Sequence, residues 1–333
     1  MAKRKIKKDI NHESILNTTN NQTEQQECGN GLNNIESNTS IETFQSHNVC
    51  LNNTTKENKS KLDDFKEFCD TKPKDIVFQN EKKQSKFQCL SADILKIIAL
   101  LCMLIDHSWI SIATGNDWMN YIGRIAFPIF AFQIVEGYFK TANLKKYKQR
   151  LFIFALISEI PFNLFISGGI IYPFHQNVIF TFLLGIIAME VLDIYLKNPS
   201  MKVGFITAGY ILLIMIASLI FMVDYTSIGV LTILTFYASK RIVEYKQFSW
   251  ARIPIMIVGI IYVHAFYSSG RFIPIELFGE TFEFCTQGFA VLSLIPILLY
   301  NGKKGKHWNI VSKIGYWFYP AHLFLLFCIS SLF

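Results

Sequence analysis

ILKIIALLCMLIDHSWISIAT, residues 94–114, decides the class of this chain. From Ile94 to Ile105 only Lys96 is charged, and then Asp106 and His107 stand side by side. A helix that crosses a bilayer needs about 20 mainly apolar residues, and this stretch supplies them. Each ionisable group near the bilayer centre costs about 2.5–3.5 kcal/mol on insertion scales, so such groups default to a functional reading. Histidine exchanges its proton near neutral pH and suits the role of proton acceptor. The structural alternative is a packed ion pair.

Outward from that stretch the chain of 333 residues divides in two. Residues 1–88 are rich in Asn, Lys, Glu, Ser, Thr and Gln, and their apolar residues follow no helical or strand period. Such a segment cannot bury enough surface to offset its ordering entropy, which predicts a disordered cytoplasmic tail. Residues 89–333 are dominated by Ile, Leu, Phe, Val and Tyr and form the membrane domain. The formal charge of +7 comes from the tail and from short basic loops, so it is no signal for nucleic acid. The first apolar run lies far from the amino terminus, and no secretory signal is expected. The seven cysteines show neither CxxC nor Cys/His spacing, which implies reduced thiols and no metal.

The fold class is all-α: a polytopic integral membrane helical bundle of about nine transmembrane helices. The expected spans are 92–114, 120–140, 149–168, 177–196, 203–222, 226–240, 253–267, 283–300 and 312–333. The loops after the second, fourth, sixth and eighth spans are basic, as in KTANLKKYKQR, SKRIVEYKQFSWAR and NGKKGKHWN. The alternate loops contain a single cation, Arg271. The positive-inside rule then places the protein in the plasma membrane with its amino terminus cytoplasmic and its carboxyl terminus external.

That orientation locates the polar groups. Lys96, Leu100, Met103 and His107 share one face of the first span, which must point into the bundle or a wet cavity. Asp106 lies one step around the helix and needs a partner from another span. Arg124 is the natural one, and Pro128, one turn later, is a kink site. Glu159 and Asn163 flank Pro161 in the outer half, and Asn177 opens the fourth span. Tyr319 and His322 stand i, i+3 around Pro320 in the last span. Asp224, His264 and Arg271 read as interface residues, Glu136 as a salt-bridged helix end, and Lys96 as a side chain that snorkels inward. On the inner face Lys145, Lys146, Lys148 and Arg150 cluster, as do Lys303 and Lys304. Positive-inside bias accounts for these cations; the functional alternative is a landing site for a phosphorylated ligand.

Several of these stretches resemble the TraX family. The resemblance is carried by LKIIALLCMLIDH, IGRIAFPIFAFQIVEGYFKT, RLFIFALISEIPFNL, NVIFTFLLG, DYTSIGVL, LLYNGKKG and FYPAHL, in order, from Leu95 to the end. The long Asn/Lys-rich tail departs from the family's expected short amino terminus. The family's founding activity is N-terminal acetylation of conjugative pilin, and it is similar, at the level of fold, to larger multi-span acetyltransferases that use an intramembrane histidine. The resemblance implies an acetyltransferase with acetyl-coenzyme A as cytoplasmic donor, its phosphates near Lys145, Lys146, Lys148, Arg150, Lys303 and Lys304. The acceptor would be an amine or hydroxyl of an envelope or secreted protein, peptide or glycan. His107 would be the general base or a transient acetyl carrier, and His322 the next candidate. Asp106 and Glu159 would orient cations, and Arg124, Asn177 or Tyr319 would stabilise the oxyanion. Expected partners are these substrates and membrane lipid, with no nucleic acid. The competing readings are a proton-coupled transporter built on the same Asp, His and Glu residues and an assembly partner for an envelope machine.

Overall fold

The computed structural model describes residues 87–242, 246–268, 270–277 and 279–332. The expected disordered tail, residues 1–88, lies outside them apart from its last two residues. In chain order the helices are α1 (Ala92–Ser111), α2 (Asp117–Gly123), α3 (Ala126–Lys140), α4 (Leu144–Ser167), α5 (Val178–Lys197), α6 (Met201–Ile220) and α7 (Thr226–Arg241). A 3₁₀ turn, Lys246–Ala251, leads into α8 (Arg252–Ile261), which loosens into a π-helical stretch at Tyr262–Tyr267. Strands β1 (Phe272–Leu277) and β2 (Glu280–Cys285) follow. A 3₁₀ segment, Thr286–Ser293, continues into α9 (Leu294–Leu298), and α10 (Trp308–Ser330) closes the chain.

Among the described residues, six segments are long and apolar enough to cross a membrane: Ala92–Ser111, Asp117–Lys140, Leu144–Ser167, Val178–Lys197, Met201–Ile220 and Phe248–Tyr267. The remaining three expected spans are helical but fall outside that description. Helix α7 is 16 residues long, and α10, at 23, is diluted by Lys313, Pro320 and His322. The eighth expected span, 283–300, needs correction. Its first three residues belong to β2, and its helix runs only from Thr286 to Leu298. Eight of those residues are 3₁₀, and at about 2.0 Å rise each against about 1.5 Å in α9 the piece still reaches about 23 Å.

The expected loop between the seventh and eighth spans is an antiparallel hairpin, with Phe272 opposite Cys285 and Leu277 opposite Glu280. Ile273 and Ile275 alternate with Pro274 and Glu276, and Phe282 and Phe284 with Thr281 and Glu283, on either side of Gly279, whose φ of 85° makes the turn. That alternation is the strand signal in this stretch.

The second span is two helices. Pro128 sits in the first turn of α3, where a missing N–H is harmless, and its ring would clash with the carbonyl of residue 124 in a continuous helix. The chain turns at Arg124 and Ile125 instead, which aims Arg124 into the bundle. Side-chain caps fix other starts: Asn143 accepts from Lys146 N, Asn177 from Ile179 N and Ser200 from Val203 N.

Helix α1 packs against α10, α2 and α3; α4 packs on α10 and α5; α7 packs on α5, α3 and α8. Leu95, Ile129, Val135, Ile186, Phe236 and Leu323 belong to one buried core. The loops sort to two ends. At the basic end Lys140 donates to Tyr300 and to Gly302 O, Lys148 pairs with Glu190, Lys240 with Glu136, and Arg241 with Asp193. At the opposite end Arg271 holds Asp117 through two bonds of 2.7 and 2.6 Å, and Gln176 bridges to Val223.

The loop 301–307 wraps the start of α1. Ala92 N and Asp93 N donate to Lys303 O and Lys304 O, and Asp93 Oδ2 accepts from His307 N at 3.0 Å. Gly305 has φ of 89°, and a Cβ there would overlap the Asp93 carboxylate. Gly305→Ala is therefore expected to destabilise the protein by about 1–3 kcal/mol, the usual scale of left-handed strain in a residue with a side chain. Thermal unfolding in detergent reads the shift; an unchanged midpoint would mean that the loop does not grip α1.

Candidate functional site

Two histidines from two helices meet in the bundle. His107 lies 15 residues into α1 and His322 lies 14 into α10, so both stand about 21–22 Å from the basic end. His107 Nδ1 is 2.7 Å from His322 Nε2, and the rings are parallel within 4°. His322 Nδ1 is 2.7 Å from the carbonyl oxygen of Phe318, an obligate acceptor. The network assigns the tautomers. His322 carries its proton on Nδ1 and donates to Phe318 O. Its Nε2 then accepts from His107 Nδ1–H, which leaves the lone pair of His107 on Nε2. That atom has no hydrogen-bond partner among the described residues. The sequence singled out both histidines, and the fold brings them into direct contact.

Asp106 faces a different neighbour, as its place on α1 requires. Oδ1 accepts from Asn120 Nδ2 at 3.0 Å and from Arg124 Nη2 at 3.4 Å. Gly123 makes room: a Cβ there would overlap the Asp106 side chain. Arg124 Nη1 donates to Gln287 Oε1 at 3.4 Å. Gln287 Nε2 donates to His264 Nδ1 at 3.1 Å; His264 Nε2–H donates to Thr232 Oγ1 at 3.0 Å; Thr232 donates to Ile228 O at 2.8 Å. Every link has one donor and one acceptor, so five side chains and a backbone carbonyl form a satisfied chain. Arg124 Nε alone is buried without a partner.

His264 corrects the sequence reading. It is fully buried rather than an interface residue, because the π-helical stretch turns it inward onto α7. Asn120, Gln287, Tyr225 and Thr232 were not singled out as site residues by sequence. The i, i+4 spacing of Asn120 and Arg124 was the available signal; Gln287 reaches the site only through the fold.

The remaining candidates sit around this pair. Asn177 is committed: its side-chain amide donates to Glu159 Oε2 at 2.5 Å and to Ala155 O at 2.8 Å, while its oxygen caps α5. It has no N–H left to give. Glu159 Oε1 is buried and unpaired. Tyr319 is buried, with its ring 5.9 Å from that of His322. Asp224 accepts from Tyr225 N and faces His175 at 3.6 Å; the neighbouring carboxylate raises the histidine above its usual range. The surrounding loop holds Met222, Tyr225 and Thr226 at φ of 48°, 62° and 41°, a concentration of strained residues of the kind found at functional sites.

A cavity of about 470 Å³ opens beside the basic end. Lys96, Lys140, Arg150 and Lys304 line it with Glu136, and its deeper wall includes Met103, Val178, Phe182 and Tyr319. Met103 precedes His107 by one turn and Tyr319 precedes His322 by one turn, so the cavity stops a turn short of the histidines. Of the six basic residues expected at a phosphate site, Arg150 and Lys304 line the cavity. Lys145, Lys146 and Lys303 are exposed at the same end. Lys148 is held by Glu190 at 2.7 and 2.8 Å. Lys96 and Lys140 are cavity cations outside the expected set.

Fold and site together define a polytopic helical membrane protein with a buried histidine pair beside an ionic cluster. Residues 91–330 match the family model described as TraX protein, and the chain belongs to the TraX family. Over 120 residues it is 31% identical to a protein of Dichelobacter nodosus described as "Probable fimbrial assembly protein FimC, serogroup H1", covering 33% of this chain and 49% of that one. The chain thus spans about half the length of that relative. No solved structure matches.

Proposed function

We propose that the protein is a membrane-embedded acetyltransferase that moves an acetyl group from cytoplasmic acetyl-coenzyme A to an envelope or secreted acceptor. The observation that carries this reading is the cavity: it is cationic at the basic end and runs inward to the turn before the histidine pair. Its volume falls within the range of about 300–1,000 Å³ usual for small-molecule sites. The family and the fimbrial assembly protein it is similar to favour a pilin-like protein as acceptor, with a peptide or glycan as the broader class.

In this reading the nine helical segments cross the membrane with the basic loops inside. Arg150 and Lys304 meet the donor's phosphates at the cavity wall, and Lys145, Lys146 and Lys303 draw a polyanion toward it. The acceptor comes from the opposite side. His107 Nε2 takes its proton as the amine or hydroxyl attacks the thioester carbonyl; the new acyl bond forms, the carbon–sulfur bond breaks, and the thiol leaves protonated. His322 holds the tautomer that keeps Nε2 free. Arg124, whose Nε–H has no partner, and the Tyr319 hydroxyl are the proposed donors to the developing oxyanion.

The test is acetyl-coenzyme A consumption and acetyl transfer by the purified protein, wild type against His107→Ala. Consumption independent of His107, or none in either, would count against the proposal. Topology is tested separately. A reporter after Phe333 is expected outside and one after Lys146 inside; the same side for both would break the nine-span arrangement. A second reading, a proton-coupled transporter, is favoured by the continuous hydrogen-bonded chain from Asp106 to Thr232. Substrate flux that follows a proton gradient without any coenzyme A would decide for it.

A further inference from the structure

We infer that Lys96 is the donor-site cation that seats the pyrophosphate of a coenzyme A thioester; this rests on the acetyltransferase reading and extends it to a residue outside the basic loops. The Lys96 side chain lines the cavity from α1. Among the described residues no carboxylate lies within ion-pair distance of it, unlike Lys140, which is held by Glu136. Its ammonium stands 4.8 Å from the ring centre of Trp308 and 6.0 Å from that of Tyr316. Ring faces attract a cation but do not neutralise it. The stem is seated: it crosses α10 at Gly315, where a Cβ would approach Lys96 Cδ to 3.1 Å. The sequence reading of Lys96 as a snorkelling side chain is thereby refined. The stem is packed, and the charge ends over aromatic faces inside a cavity.

Length supports the assignment. Lys96 and His107 share one face of α1, and 11 residues separate them by about 16–17 Å along the axis. Between the pyrophosphate and the thioester carbon of such a donor lie about 14 bonds, each advancing about 1.2 Å when extended, or about 17 Å in all. The ammonium leans from its backbone position toward Trp308, so a donor anchored there brings its acyl carbon to about the turn before the His107–His322 pair, where the cavity ends. Anchored at the exposed Lys145 or Lys146, it would have the length of the loop still to cover. The cations at the cavity mouth, Arg150 and Lys304, are then left for the phosphate on the ribose.

The experiment compares two donors, acetyl-coenzyme A and S-acetylpantetheine, which lacks every phosphate, on the full-length protein in detergent. The wild type is expected to prefer acetyl-coenzyme A through KM. Lys96→Gln is expected to shrink that preference by about 10- to 100-fold, the scale of one hydrogen bond to a charged group. The change should fall mainly on KM for acetyl-coenzyme A, with a several-fold smaller effect on kcat/KM for S-acetylpantetheine. Lys96→Arg should restore most of the preference, and it keeps the test alive if the neutral variant does not fold. Equal losses with both donors, or a preference untouched by Lys96→Gln, would overturn the assignment to Lys96 while leaving the acetyltransferase reading in place. A wild type that consumes neither thioester would overturn both.

Discussion

His107→Gln is expected to lower acetyl transfer by about 10²–10⁴-fold, the range usual for removal of a general base, while leaving insertion and donor binding near normal. Glutamine keeps a polar end where the ring was, so the neighbouring helices need not move. It cannot take up a proton near neutral pH. The position of the free nitrogen makes the expectation specific. Phe318 O fixes the proton of His322 on Nδ1, His322 Nε2 fixes that of His107 on Nδ1, and the basic lone pair of His107 is on Nε2. His322→Phe breaks this ordering without removing the base, so it should cost less than the loss of His107 itself. Transfer assays on the two variants give the order. Near wild-type rates in His107→Gln would remove His107 from the chemistry, and a larger loss from His322→Phe would make His322 the base.

The sequence carried much of this arrangement, for reasons that can be traced. Lys96, Leu100, Met103 and His107 recur at helical spacing, and three of them do line the cavity with His107 one turn beyond. The separation of Asp106 from His107 follows from the same geometry, since neighbours on a helix point about 100° apart. Arg124 was legible as the natural partner of Asp106, a cation at the same depth on another span, and it stands 3.4 Å from the carboxylate. The pairing of His107 with His322 was not legible, because it depends on α1 and α10 running side by side across 215 residues of chain. Gln287 and His264 were hidden for a related reason. Both lie in non-α segments, one 3₁₀ and one π, where the helical face cannot be counted in steps of 3.6. The hairpin was obscured by its setting, since a short alternating pattern next to a long apolar run reads as loop. The commitment of Lys148 to Glu190 and of Asn177 to Glu159 shows the opposite limit: residue type suggested a role, and the local partner had already claimed the side chain.

Asp106→Ala is expected to lower stability by about 3 kcal/mol, the lower end of the 3–5 kcal/mol usual when one partner of a buried ion pair is removed. The lower end applies because the pair keeps some exposure, 12% at the Asp106 side chain and 23% at Arg124. Truncation leaves Arg124 Nη2 and Asn120 Nδ2 without an acceptor, and the guanidinium retains only its bond to Gln287. Arg124→Met alone should also destabilise, since Asp106 would keep only the Asn120 amide. The double variant Asp106→Ala/Arg124→Met removes both charges, so it should lose clearly less than the sum of the two single losses. Unfolding in detergent with increasing denaturant, read for all four proteins, supplies the coupling. Strictly additive losses would mean that the 3.4 Å contact carries no energy and that Asp106 is held by Asn120 alone. Gly123→Ala offers an independent approach to the same contact, because its Cβ intrudes on the Asp106 side chain without altering either charge. It should reproduce part of the Asp106→Ala loss, and transfer activity should fall with it if the Asp106–Arg124 geometry serves the reaction as well as the fold.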